Sequence, residues 1–206
     1  GMERHSMLCA TMPTPSAAAP RQVLLFSGHL IDAPDRPLPR FPAAKEAAAA
    51  QRIAIELERL AAGAADLALT QGAAGGDLLF AEACLARGVP VRLLLPLPER
   101  EFIERSMLPC EDGPRWRARY LALKAQLHEA PQVADAVLGP LRPGEDAFER
   151  ANRWLLDTAL AFGATRLRFI TLWDGGGGDG PGGTRHMVEA VRRAHGEVRW
   201  IDTHTL

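Results

Sequence analysis

The sequence lacks most of the features that mark membrane, disulfide-linked and nucleic-acid-binding proteins. It has only three cysteines, Cys9, Cys84 and Cys110, and their spacing matches neither a CxxC pair nor a set of metal ligands. It contains no run of about 18 apolar residues, so we expect no membrane-spanning helix. Its formal net charge of −1 provides no basic face for duplex nucleic acid. We therefore expect a cytoplasmic protein that binds no metal, membrane or nucleic acid.

The rest of the composition is typical of a protein with a sizeable core. Hydrophobic residues make up 47% of the chain and charged residues 24%, and a length of 206 residues favours one domain. Residues 1–20 are rich in Ala, Pro, Ser and Thr, and they have neither the charged start nor the apolar core of a signal peptide. We predict a flexible N-terminal tail over 1–20 and a single domain over 21–206.

Apolar strand-like runs alternate with helical patterns along the chain. The predicted helices cover 43–62, 77–87, 99–105, 114–129, 145–162 and 184–196. The predicted strands cover 23–26, 67–70, 91–95, 168–173 and 197–202, and residues 132–138 form either a fourth strand or a short helix. This alternation predicts a Rossmann-like three-layer α/β/α sandwich with a mostly parallel sheet of about six strands.

Three of these strands run into glycine-containing turns that we expect at one edge of the sheet. Parallel sheets bind ligands beyond the carboxyl ends of their strands. Glycine lets a backbone approach a phosphate, and the first amides of a helix have no partner within it. The turns, with the start of the helix at 145–162, therefore predict a nucleotide pocket formed by Ser27, Gly28, His29, Gly72, Gly75, Gly76, Asp77, Asn152, Asp174, Gly182, Gly183 and Thr184.

Several of these residues also have structural interpretations. Asp77 is either the N-cap of the following helix or an acceptor for a ligand hydroxyl. His29 either contacts a base or phosphate or makes a structural hydrogen bond. Arg36 and Arg40, in the proline-rich segment 30–42, either clamp a phosphate or form surface ion pairs.

The last glycine loop also fits the dinucleotide-binding fingerprint at Gly178, Gly180 and Gly183, with Asp202 placed as a ribose-binding acid. Two observations argue against it. Pro181 removes a backbone donor from the loop, and no second mononucleotide-binding half follows the fingerprint. A Walker A loop is excluded because no lysine follows the glycines. We expect no nicotinamide or flavin cofactor.

These motifs resemble those of the SLOG superfamily, which includes the LOG phosphoribohydrolases and the DNA-processing protein A domain. The run 69–77 resembles the second-strand signature of that group, and 24–29 is similar to its first turn. Gly182, Gly183 and Thr184 resemble the PGGxGTxxE loop of the LOG enzymes. The resemblance implies a Rossmann-like fold, a ligand that is a nucleotide or is derived from one, and a homodimer.

Two functions follow from the resemblance. The first is binding or sensing of a nucleotide-derived ligand. The second is hydrolysis of a nucleoside 5′-monophosphate at its N-glycosidic bond, which LOG enzymes carry out with a helix arginine and the glutamate of the loop. Here Met187 stands where the motif has its glutamate, and the nearest acid is Glu189. The catalytic candidates are therefore Arg150, Arg153 and Glu189.

Overall fold

The computed structural model describes residues 18–176 and 183–206. Within them, six strands form one sheet in the order β4-β3-β2-β1-β5-β6, and every neighbouring pair is parallel. The strands are β1 (Val23–Gly28), β2 (Leu67–Thr70), β3 (Val91–Leu95), β4 (Gln132–Val133), β5 (Leu167–Trp173) and β6 (Glu197–Asp202). The helices are α1 (Glu46–Arg59), α2 (Gly76–Ala86), α3 (Glu99–Ser106), α4 (Gly113–Lys124), α5 (Ala134–Leu138), α6 (Ala147–Leu160) and α7 (Thr184–Arg193).

The central strand β1 shows why the domain has three layers. Its side chains alternate between the two faces of the sheet, as in any strand. Leu24 and Phe26 belong to a buried cluster that includes α1, α2 and α4. Val23 and Leu25 belong to a second cluster, on the face covered by α6 and α7. The predicted three-layer α/β/α sandwich with six strands is confirmed, and the sheet is parallel throughout.

The first helix shows how the sequence pattern places a helix on the sheet. Ala49, Ile53 and Leu57 recur every four residues and are fully buried. The helix ends at Arg59, with Leu60 as its C-cap, and not at residue 62 as predicted, because Ala61 adopts a left-handed conformation with φ of 49°. The amide of Ala62 then donates to the carbonyl oxygen of Leu57 at 3.0 Å, which closes the helix end.

The segment 132–138 combines both predicted conformations. Only Gln132 and Val133 pair with β3, opposite Leu94 and Leu95. The next residues, which include two alanines and a leucine, favour a helix and form the single turn α5. Each of the two predicted alternatives therefore describes only part of the segment.

The predicted tail at 1–20 lies largely outside the described residues, of which Ala18 is the first. None of the helices in the described ranges is long and apolar enough to cross a membrane.

Candidate ligand-binding site

A cavity of about 250 Å³ opens at the carboxyl edge of the sheet, beside the end of β1. The strand order reverses at β1, since β2 to β4 extend from one side of it and β5 and β6 from the other. Ligands of parallel sheets bind at such a switch point. The cavity is lined by Ser27, Gly28, His29, Leu30, Arg40, Gln71, Ala73, Asp77, Ser106, Asp146, Phe148, Glu149, Asn152, Gly183 and Thr184.

The structure brings residues of all three glycine turns to this cavity, but it does not bring every residue that the sequence singles out. The predicted ligand-binding residues that line it are Ser27, Gly28, His29, Asp77, Asn152, Gly183 and Thr184. Four others do not line it, namely Gly72, Gly75, Gly76 and Asp174, and Gly182 lies outside the described residues.

The first turn is held tightly between two strands. A Cβ atom at Gly28 would lie 3.0 Å from both the Cβ and the carbonyl oxygen of Leu172 on β5. The amide of His29 donates to that same carbonyl oxygen at 3.0 Å. Glycine at position 28 therefore lets β1 and β5 stay paired up to the edge of the cavity.

His29 connects the first turn to the third through Asp174. Its imidazole is buried, and Nε2 accepts a hydrogen bond from the backbone amide of Asp174 at 3.2 Å. The same Nε2 lies 3.4 Å from Oδ1 of Asp174. Burial raises the pKa of the Asp174 carboxyl, but the Gly176 amide, His29 and the charge of Arg40 together outweigh it and hold the pKa below its usual range. Asp174 does not line the cavity, but its backbone contact with His29 ties the start of the third turn to a residue that does.

The amides of the second turn are already bonded within the protein. Ala74 donates to the carbonyl oxygen of Ser106 at 3.0 Å, and Gly76 donates to that of His29 at 3.2 Å. Ala73 donates to Oδ2 of Asp77 at 3.2 Å. Because its amide is bonded to His29, Gly76 cannot serve a phosphate in the way that the sequence predicts.

The glycines of the second turn have a packing role instead. Gly75 has φ of +107°, and a Cβ atom there would lie 2.6 Å from the amide nitrogen of Ile31 and 2.9 Å from the carbonyl oxygen of His29. Gly75 also forms an antiparallel bridge with Leu30. The two turns therefore support each other by direct backbone contact, which only glycine permits at this position.

Asp77 is a buried carboxylate in the wall of the cavity. The prediction that it is the N-cap of the helix is wrong, because α2 begins at Gly76 and its N-cap is Gly75. Asp77 is 7% exposed, and its Oδ1 accepts no hydrogen bond from the described residues. Burial raises the pKa of this carboxyl to about 7, against the opposing effect of the Ala73 and Gly72 amides. The Thr70 hydroxyl and the Gly28 amide oppose the effect of burial as well, so the Asp77 carboxyl is surrounded by donors from the ends of β1 and β2.

The third turn contributes the start of α7. Gly183 is its N-cap and makes no side-chain cap, and Thr184 is buried in the first turn. The helix N-terminus, with its positive dipole end, therefore lies at the cavity wall.

The start of α6 forms the opposite wall. Asp146 caps this helix by accepting hydrogen bonds from the amides of Phe148 and Glu149, both at 2.9 Å. Asn152, one turn further along, accepts a hydrogen bond from Nε2 of Gln71 at 2.9 Å. This wall supplies an aromatic ring, two carboxylates and an amide pair.

The three predicted catalytic residues do not line the cavity. Arg150 is buried elsewhere, where it donates to Oδ1 of Asp135 at 2.8 Å and to the carbonyl oxygen of Gly139 at 2.7 Å. Arg153 is exposed and lies 3.5 Å from Glu145, and Glu189 is exposed on α7. The LOG-type set of arginine and glutamate is therefore not assembled at this site.

Several residues that line the cavity are not among those that the sequence predicts. Ser106 is the last residue of α3, and its carbonyl oxygen accepts a hydrogen bond from the amide of Ala74 in the second turn. Asp146, Phe148 and Glu149 lie at the start of the same helix as Asn152. Their position next to a predicted site residue is therefore a sequence signal that indicates them. Leu30 follows the first turn directly and carried no signal of its own.

Within the described ranges, no group of three or more His, Cys, Asp or Glu side chains is arranged to hold a metal ion. Comparison of the sequence with protein-family models gave no match, and comparison with curated proteins gave none.

Proposed function

We propose that this chain is a SLOG-like domain that binds, and thereby senses, a nucleotide or a nucleotide-derived ligand at the carboxyl edge of its sheet. One observation carries the proposal. Turns that follow β1, β2 and β5 contribute to the wall of a single cavity at the switch point of a parallel sheet. Its volume of about 250 Å³ lies just below the range of about 300–1,000 Å³ that is typical of small-molecule sites, so it favours the smallest nucleotides.

The phosphate of such a ligand has one favoured position. Of the helices that start at the cavity, α6 is capped by its own Asp146, and the turn before α2 has its amides bonded internally. The N-cap of α7 is Gly183, which has no side chain with which to cap the helix. Arg40 lines the same cavity and supplies a positive charge. We place the phosphate between α7 and Arg40.

The sugar has a matching partner in Asp77. Asp77 lines the cavity, and its Oδ1 accepts no hydrogen bond from the described residues; because that atom is closed to solvent, a ligand hydroxyl reaches it once the carboxylate turns towards the cavity. A ribose hydroxyl is a neutral donor that can satisfy such an oxygen at little electrostatic cost.

Binding is favoured over hydrolysis of the N-glycosidic bond. A general acid or base must lie within hydrogen-bond reach of the proton that it moves. Arg150, Arg153 and Glu189 lie outside the cavity, so the LOG mechanism would lack its reacting groups. The homodimer implied by the resemblance remains part of the proposal, and light scattering of the purified protein tests it.

A thermal-shift and calorimetric screen against nucleoside mono- and diphosphates, cyclic nucleotides and ADP-ribose tests the proposal. A ligand present at 100 times its Kd stabilises the folded state by about 2.7 kcal/mol. Arg40→Gln weakens a phosphate-bearing ligand by about tenfold. Arg36→Gln is the matched control, because Arg36 lies in the same segment but outside the cavity. Absence of stabilisation by every ligand rules out the proposed function.

A further inference from the structure

Two tryptophans lie against each other near the carboxyl ends of β5 and β6, and neither lines the cavity. The ring centroids of Trp173 and Trp200 are 5.5 Å apart. Trp173 is buried, whereas Trp200 is 46% exposed, so Trp200 adds less to the core than its size would allow. Packing in the core alone therefore does not account for the pair.

The indole nitrogens of the pair hold the backbone that leads into the third turn. Nε1 of Trp200 donates a hydrogen bond to the carbonyl oxygen of Trp173 at 2.9 Å. Nε1 of Trp173 donates to the carbonyl oxygen of Gly176 at 3.0 Å. An indole nitrogen is a donor only, so each of the two has one hydrogen bond to make, and each makes it to this backbone. The two bonds in series connect β6 to Gly176.

The ring of Trp200 also supports this backbone by direct contact. Gly175 has φ of +83°, and a Cβ atom there would lie 3.2 Å from Cζ2 of Trp200. The amide of Gly176 donates to Oδ1 of Asp174 at 2.8 Å, which closes a short turn over residues 174–176. The turn is therefore packed on one indole ring and bonded to the other.

Residues 174–176 contact the cavity wall on two sides. The amide of Asp174 donates to Nε2 of His29, which lines the cavity. Nη2 of Arg185 donates to the carbonyl oxygen of Gly175 at 3.3 Å. Arg185 follows Thr184, which lines the cavity in the first turn of α7. The tryptophan pair therefore supports a segment that is bonded both to the first turn and to the start of α7.

We infer that Trp173 and Trp200 are positioning residues that hold the third turn and the start of α7 in the arrangement that binds the ligand. The inference rests on the proposed function, since the start of α7 is where the phosphate of the nucleotide is placed. A ligand that meets a preorganised turn spends less of its binding free energy on ordering that turn. Loss of either indole donor therefore weakens the phosphate contact in particular.

Calorimetry on the full chain with AMP, GMP, CMP, UMP and the four corresponding nucleosides tests the inference. Trp200→Phe and Trp173→Phe each keep an aromatic ring but remove one donor. Each is expected to weaken nucleotide binding by about three- to tenfold. The Kd of the nucleoside is expected to stay unchanged, because a nucleoside has no phosphate to place at α7.

Trp116→Phe is the matched control. Trp116 is buried on α4 and does not line the cavity. This variant loses ring volume from the core, so it is expected to be less stable than the wild type and to bind every ligand with unchanged Kd. Urea unfolding of all three variants shows whether a change in affinity merely follows a change in stability.

Nuclear magnetic resonance tests the same link in the wild-type protein, so this measurement does not depend on the folding of a variant. The chain has four tryptophans, whose indole N–H signals are assigned through their nuclear Overhauser effects to neighbouring residues. Titration with the nucleotide that binds most tightly is expected to shift the signals of Trp173 and Trp200 in proportion to occupancy. The signal of Trp116 is expected to stay in place.

Three results overturn the inference while the proposed function stands. Unchanged nucleotide Kd in folded Trp173→Phe and Trp200→Phe variants shows that the pair only stabilises the edge of the sheet. Equal weakening of nucleotide and nucleoside shows a general structural effect. Signals of Trp173 and Trp200 that do not move at saturation show that the pair is not linked to the bound ligand. Absence of binding by all the nucleotides removes the proposed function and this inference together.

Discussion

The backbone amide of Gly76 donates a hydrogen bond to the carbonyl oxygen of His29 across 3.2 Å. The antiparallel bridge between Leu30 and Gly75 lies directly beside it. The turns that follow β1 and β2 are therefore one unit at the cavity. The main role of Gly75 and Gly76 is to let the two turns pack against each other. His29 and Asp77 are positioned by this packing.

Gly75→Ala is expected to destabilise the protein strongly. The new Cβ atom would lie 2.6 Å from the amide nitrogen of Ile31, and φ is +107°. Backbone strain and overpacking together cost about 3 kcal/mol or more. Urea unfolding followed by circular dichroism measures the change in the free energy of unfolding.

The matched control for this prediction is Gly163→Ala. Gly163 has a similar φ of +104°, but no described atom beyond its chain neighbours lies within 4 Å of the new Cβ position. It carries the backbone strain alone, which costs about 1–2 kcal/mol. Equal losses in the two variants would show that the contact between the turns contributes nothing.

Much of the fold was accessible from the sequence, because a strand buried on both faces reads as a continuous apolar run. The runs at 67–70 and 91–95 became strands with those bounds. The edge strand at 197–202 also has the predicted bounds, although only Ile201 in it is buried. The edge strand β4 was harder, since its two paired residues leave little pattern beside the helix-forming alanines that follow.

The details of the site were less accessible, because they depend on contacts between distant segments. No local pattern indicates that the amide of Gly76 is already bonded to His29, or that Arg150 turns away from the cavity towards Asp135. The burial that changes the pKa of Asp77 also arises only when the turns pack together. Sequence patterns located the edge of the sheet, whereas tertiary packing decided which groups face the ligand.

The buried Asp77 is expected to make folding stability depend on pH. Its carboxyl has a pKa of about 7 in the folded protein, above the ordinary value of 3.8. Between these values the folded state holds a proton that the unfolded state has lost. The stabilising contribution is therefore complete at low pH and is lost as the pH rises towards about 7, by at most about 1.4 kcal/mol per pH unit.

Asp77→Asn isolates this contribution, because an amide has no charged form. The difference in unfolding free energy between the variant and the wild type should grow in favour of the variant as the pH rises to about 7, and then level off. Chemical unfolding at a series of pH values measures it. A difference that stays constant with pH would show that the folded-state pKa of Asp77 is not raised.

Asp146 is expected to stabilise α6 through its two hydrogen bonds to the helix amides, both 2.9 Å long. Asp146→Ala removes them and should cost about 1 kcal/mol of unfolding free energy. Asp146→Asn keeps an oxygen acceptor and should change stability by less than about 0.5 kcal/mol. Thermal or urea unfolding of both variants distinguishes the hydrogen bonds from the charge, and equal losses would contradict the assignment.

Arg150 and Arg153 provide the test of the residues that the LOG resemblance singles out. Arg150 is buried and bonds to Asp135 and the carbonyl oxygen of Gly139, so Arg150→Ala should lower the free energy of unfolding by about 1–3 kcal/mol. Arg153 is exposed, and Arg153→Ala should change it by less than about 0.5 kcal/mol. Neither side chain lines the cavity, so nucleotide affinity measured by calorimetry should be unchanged in Arg153→Ala. A large loss of nucleotide affinity in the stable Arg153→Ala variant would show that Arg153 contacts the ligand.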